Sequence, residues 1–283
     1  MRKLRNTEVE KMQDQLADRR GFVRRLGMAS AGVGAFLSVA ESSKAQTITD
    51  ADIVQFALNL EYLEAEFYTV ARVGRTIDQM GVGITGTGTA GATTGGSKVT
   101  FIEGSTLAVS ADQIGADERA HVTLLRTTLT ALGVTPIAKP AINLNALGIG
   151  FGSPEEFIAL ARAFEDVGVS AYGGAAPLLT SKTILAAAAR ILATEAEHTG
   201  NLRLHAALYQ APTMMVDPAD ILPPPSSSKF ISVDANGLTA VRTPGQVLYI
   251  VYGSKANATS GGFFPNGVNG TVNTSSAPAP AQT

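Results

Sequence analysis

Two short segments of this chain carry a glutamate and a histidine three residues apart, Glu118-Arg119-Ala120-His121 and Glu195-Ala196-Glu197-His198. On a helix that spacing projects both side chains from one face, with Cβ atoms about 5–6 Å apart. A carboxylate and an imidazole so placed can ligate a single metal ion. Glu-x-x-His arises often by chance, but the chain has only three histidines, and two of them sit in this motif. Two other segments also repeat each other. Ala57, Glu61 and Tyr68 recur with the same spacing as Ala161, Glu165 and Tyr172. The order is therefore Glu…Tyr, Glu-x-x-His, Glu…Tyr, Glu-x-x-His, which reads as a duplicated helix pair. Tyr68 and Tyr172 stand two turns beyond their glutamates. They suit either a hydrogen bond to a ligand carboxylate on another helix or an amphipathic core position. The chain has no cysteine, which excludes disulfides, thiolate metal sites, Fe–S clusters and cysteine nucleophiles. Any metal chemistry must use carboxylate and imidazole.

Two helices giving one Glu each and two giving Glu-x-x-His is the ligand pattern of di-iron and di-manganese bundles. On these residues the chain resembles the ferritin-like proteins. The resemblance implies an all-α, four-helix bundle with one long crossover between the second and third helices. It implies two metal ions, Fe or Mn, held by Glu61, Glu118, His121, Glu165, Glu195 and His198. Each imidazole would cap one metal, and either Glu118 with Glu195 or Glu61 with Glu165 would bridge. Tyr68 and Tyr172 stand behind these ligands as candidate catalytic residues. The implied activity is oxidase, ferroxidase or peroxide-dismuting chemistry, with dioxygen or peroxide as the small-molecule substrate. Near the C-terminus, Arg242-Thr243-Pro244, Val251-Tyr252-Gly253 and Gly262-Phe263-Phe264-Pro265-Asn266-Gly267 resemble the tail of the desiccation-related branch of the ferritin-like proteins. That branch implies, as one alternative, a metal-free or non-catalytic stress-protective structural protein; iron sequestration, which ferritin-like bundles carry out in cages, is another. A homo-oligomer fits either.

The elements that must position these residues follow from the rest of the chain. With 283 residues, 45% of them hydrophobic and 16% charged, there is material for one good core plus extensions. A net charge of −2 gives no reason to expect nucleic acid as a partner. Residues 1–45 read as a signal peptide, with a basic start, an apolar small-residue run over 26–40 and a small-x-small exit at Ser43-Lys44-Ala45. Arg19-Arg20-Gly21-Phe22-Val23 resembles a twin-arginine signal. That implies the twin-arginine export machinery as a partner and a periplasmic or secreted mature chain. An ordinary secretory signal or an uncleaved anchor is the alternative.

The expected bundle covers residues 46–211. Its first helix starts at the Thr49-Asp50-Ala51-Asp52 cap and stops near Gly74. Glu64, one turn from Glu61, is an extra ligand, a base behind the ligands, or a rim carboxylate paired with Arg. Glu66 points elsewhere and is expected to be solvated. The Gly/Thr-rich stretch from 74 to 110 matches no phosphate-binding pattern and reads as a surface loop or short hairpin over one end of the bundle. Ser110-Ala111-Asp112-Gln113 resembles a capping box opening the second helix. About 20 residues of crossover then reach Ser153-Pro154, the start of the third helix, which is expected to end near Gly173-Gly174. The fourth helix runs from about Ser181 to Gln210, with His205 two turns beyond His198 as a core or supporting residue. The Glu and His positions fall on the buried seams, where such groups are expensive unless they bind something. Residues 212–283 read as a Pro/Gly-rich extension with a stiff Pro223–Ser228 linker and one short helix after Thr243. Its Phe263-Phe264 pair is expected to dock on the bundle or on a neighbouring subunit.

Overall fold

A computed structural model describes residues 48–212, 225 and 228–279; the expected leader and most of the Pro/Ser linker lie outside these residues. Four long helices form the core: α1 (Asp50–Val73), α2 (Thr106–Ala131), α3 (Pro154–Ala175) and α4 (Lys182–Leu208). Each opens on a hydroxyl side chain that accepts from an otherwise orphaned backbone N–H. Thr49 accepts from Asp52, Ser105 from Ala108, Ser153 from Glu156 and Ser181 from Ile184. Gly74 closes α1 at φ 71°, a left-handed conformation that glycine adopts without strain. The helices pack chiefly as pairs, α1 with α2 and α3 with α4. Residues 132–153 form the long connection between the pairs, so the architecture is the all-α four-helix bundle with one long crossover. Among the described residues no helix is long and apolar enough to cross a membrane.

Several local expectations need correction. α2 starts at Thr106, capped by Ser105, rather than at the Ser110–Gln113 box. Ser110 lies inside the helix with its Oγ 3.5 Å from His205 Nε2. Gly173-Gly174 does not end α3, which runs on to Ala175. The pair is needed because residue 242 crosses the helix there: a Cβ on Gly174 would lie 1.8 Å from the Arg242 carbonyl oxygen. The Gly/Thr-rich segment is not a hairpin. It runs parallel to the crossover, pairing β1 (Thr93–Thr94) with β2 (Ile142–Asn143), with a further bridge from Thr87 to Ile137. Its glycines permit close backbone approach, since a Cβ on Gly86 would lie 2.0 Å from the Pro136 carbonyl oxygen. Glu66 is fully buried rather than solvated. Its Oε2 accepts from the Ile77 N–H at 3.2 Å and its Oε1 lies 3.5 Å from Lys139 Nζ, both partners coming from the covering segments.

The C-terminal segment belongs to the same core. A short helix, α5 (Pro244–Val251), packs on α3. Phe263 and Phe264 are buried, with the Phe263 ring edge-on to Phe164 at 5.0 Å. Asn269 ties four parts of the chain together. It exchanges backbone–side-chain hydrogen bonds with the buried Asn59 of α1 (2.9 and 3.0 Å). It also accepts from Thr89 N–H (2.8 Å) and donates to the Thr89 and Ala138 carbonyls (2.9 and 2.8 Å). Truncating this side chain removes three hydrogen bonds to backbone, the one to Ala138 buried and the two to Thr89 partly so. Asn269→Ala should therefore lower unfolding free energy by about 3 kcal/mol in urea titration, and a loss below about 1 kcal/mol would show the hub to be dispensable.

Candidate metal centre

The four helices bring all six sequence-derived ligands to one interior spot. Glu61, Glu118, Glu165 and Glu195 are each 0% exposed, and His121 and His198 are also buried. Two four-residue groups result: Glu61, Glu118, His121 and Glu195, and Glu118, Glu165, Glu195 and His198. Within each group one donor atom per residue lies within 4.8 Å of all the others. Glu118 and Glu195 belong to both groups. The two glutamates of the Glu-x-x-His motifs therefore stand where a bridge would stand, while Glu61 and Glu165 lie at opposite sides.

Both imidazoles turn Nδ1 inward. His121 Nδ1 lies 3.3 Å from Glu61, 3.4 Å from Glu195 and 3.5 Å from Glu118. His198 Nδ1 lies 3.1 Å from both Glu118 and Glu165. The outer nitrogen of His198 faces Asp117 at 3.3 Å, an arrangement that orients a ligating imidazole from behind. The tyrosines cross over. Tyr68 of α1 donates to Glu165 of α3 at 2.5 Å, and Tyr172 of α3 donates to Glu61 of α1. Each hydroxyl thus fixes the outlying carboxylate of the other repeat. Tyr68 is sealed among Phe67 and Phe157, whereas Tyr172 is partly exposed and lines a narrow apolar slot with Ala57, Leu60, Leu125 and Ala188.

Electrostatics mark the spot as unfinished by protein alone. Burial, then the charges of Glu61 and Glu165, raise Glu118 to about 7. Burial, then Glu118 and Glu165, push Glu195 well above the carboxylate range. Burial would raise Glu61 too, but the charge and hydrogen bond of His121 outweigh it and hold that carboxyl low. Burial opposes a charged His198, yet hydrogen bonds from Glu118 and Glu165 raise it to about 11, and His121 is raised further by Glu61 and its neighbours. Burial, then the charge of Glu165, keeps Tyr68 protonated as a donor, and Tyr172 is held likewise by burial and Glu61. Even so, among the described residues Glu61 Oε2, both oxygens of Glu118, both of Glu195 and His121 Nδ1 are buried and make no well-aligned hydrogen bond beyond the charge contacts with the imidazoles. Buried polar atoms are nearly always satisfied, so this set of hard oxygen donors and two imidazoles fits a pair of divalent cations.

Glu64, left open by the sequence, proves to be 5% exposed and turned toward the same interior. Burial, then the charge of Glu195, raises its carboxyl well above normal. His205 is buried but remote from the ligands, its nearest polar contacts being Ser110 and the edge of Tyr209. Asp117 is the residue that pattern reasoning passed over. It directly precedes Glu118, but only the packing of α2 against α4 shows which histidine it serves. Residues 49–208 match the family model of the ferritin-like domain. No curated protein matches the chain.

These shifts set the sign of a pH effect. Glu118, Glu64 and Glu195 hold protons more tightly folded than unfolded, so their contribution is complete below the ordinary value of 4.5 and lost as pH rises through about 7 for Glu118. His198 acts in the same direction, its contribution being complete below 6.5 and lost toward 11. The metal-stripped protein should therefore melt at a higher temperature at pH 5 than at pH 8. A melting temperature that climbs across this interval would contradict the assignment.

Proposed function

The chain belongs to the ferritin-like domain family, and from that premise we propose that it holds a dinuclear centre of Fe or Mn. The reaction we assign to it is two-electron redox chemistry on dioxygen or peroxide, as an oxidase, ferroxidase or peroxide-dismuting protein. The observation that carries this reading is the set of wholly buried, unpartnered carboxylate oxygens on Glu61, Glu118 and Glu195. The two imidazoles beside them offset only part of their charge, and a pair of cations would offset the rest. Two such ions, when bound, supply a reversible two-electron couple next to a small-molecule oxidant.

The chain's own residues do the rest. Glu118 and Glu195 are shared between the two groups and suit bridging, and Glu61 and Glu165 are held as outer ligands by Tyr172 and Tyr68. His121 and His198 offer Nδ1, and Asp117 accepts a hydrogen bond from the Nε2–H of His198, which keeps the proton on that outer nitrogen and the inner one free to ligate. The two tyrosine hydroxyls keep a proton at a ligand oxygen, where it can be shared with a reduced oxygen species. Burial excludes water, which strengthens each of these interactions. Export of the folded chain through the twin-arginine route to the periplasm or beyond is part of the same proposal. It rests on Arg19-Arg20, and on the advantage of loading metal before export. A stress-protective setting, implied by the desiccation-related tail, is compatible with removing peroxide.

Elemental analysis after loading with Fe(II) or Mn(II) should find about two ions per chain. Glu195→Ala or His198→Ala should reduce that number to one or none. Protein that retains no metal under these conditions would end the proposal.

A further inference from the structure

Five carboxylates face the centre, and the fifth has no task in the arrangement above. Glu64 is 95% buried by its 5% exposure, and it makes no hydrogen bond or ion pair among the described residues. Holding the fold together is therefore not its role, and an unpartnered buried carboxyl costs stability. Its charged neighbours are Glu195, Glu118, Glu165 and Glu61, that is, the ligand carboxylates of all four helices.

The duplication shows what has been changed to admit it. Superposing Glu61–Tyr68 on Glu165–Tyr172 sets Glu64 against Gly168. Because Glu61 meets Tyr172 and Glu165 meets Tyr68, α1 and α3 run antiparallel and Glu64 comes level with Gly168, between the two outlying ligands. A Cβ on Gly168 would lie 2.7 Å from Glu195 Oε2 and 3.3 Å from Glu64 Oε1. The space that a side chain would take in one repeat is left to Glu195 and to the extra carboxylate of the other. Resting on the dinuclear reading, we infer that Glu64 would serve as a seventh ligand of the centre, with room left for it by Gly168. Charge then gives it a consequence. Four carboxylates balance two divalent ions, and a fifth leaves one negative charge uncompensated in a site sealed from water. That charge is balanced when a trivalent ion takes the place of one divalent ion, so Glu64 favours a centre containing a trivalent ion.

Redox-inert ions separate this role from turnover. Affinities of the purified full chain for Zn2+ and for Ga3+ are measured by competition with nitrilotriacetate, in wild type and Glu64→Gln. Glu64→Gln should weaken Ga3+ binding roughly tenfold or more and Zn2+ binding less than about threefold. Glu64→Gln should also raise the melting temperature of the stripped protein, which shows that the variant folds. Unchanged Ga3+ affinity in Glu64→Gln would overturn the ligand assignment while leaving the dinuclear reading in place. An equal loss for both ions would overturn the charge preference, and a wild type that binds neither ion would overturn the dinuclear reading itself.

Discussion

Mutual repulsion among buried carboxylates is the constraint around which this molecule is built. Four glutamates at zero exposure, with most of their oxygens unpartnered, cannot be held in place by attraction to one another. They are forced together by the packing of the helices that carry them, and two protonated imidazoles offset only part of the cost. The surrounding core must therefore supply the compensating stability. It does so with the Phe67, Phe157, Phe164 and Phe101 cluster and the aliphatic seams of the four helices. A cation pair converts the same repulsion into attraction, so metal affinity and structural cost are two sides of one arrangement.

The duplication is obeyed where geometry must be equal and broken where it need not be. Glu61 with Tyr68 and Glu165 with Tyr172 exchange hydrogen bonds across the bundle, so each repeat steadies a ligand of the other. Asp117 stands behind His198, whereas the equivalent position in the second repeat is Thr194. Tyr68 is sealed by aromatic rings, whereas Tyr172 lines an apolar slot. The two candidate donor groups thus differ in charge behind the imidazole and in access, despite matching residue types.

Around the bundle, three loop-rich segments act as one layer. The Gly/Thr-rich stretch, the crossover and the C-terminal chain meet at Asn269, and the last of these sends Phe263 and Phe264 into the core. Lys139 of the crossover reaches Gly91, Thr93 and the buried Glu66 together. Segments without regular structure are thereby pinned by side-chain–backbone bonds in place of sheet or helix ladders.

What the amino-acid sequence determined by itself was the part governed by local period. Glu-x-x-His must share a helix face, a seven-residue step must return to it, and serines and threonines before proline or acidic residues must begin helices. Those rules sufficed for the presence of the four helices, for the crossover and for the six candidate ligands, though α2 begins at Thr106, capped by Ser105, and not at the Ser110 box they pointed to. Tertiary structure alone decided which glutamates are shared between the two groups, which histidine Asp117 serves, and that Glu64 faces inward opposite Gly168. It also decided that Glu66 is buried and that Gly173-Gly174 admits a crossing chain rather than ending a helix. Each of these depends on a partner tens or hundreds of residues away. A glycine looks the same in a sequence whether it bends its own chain or makes room for another, and only packing distinguishes the two.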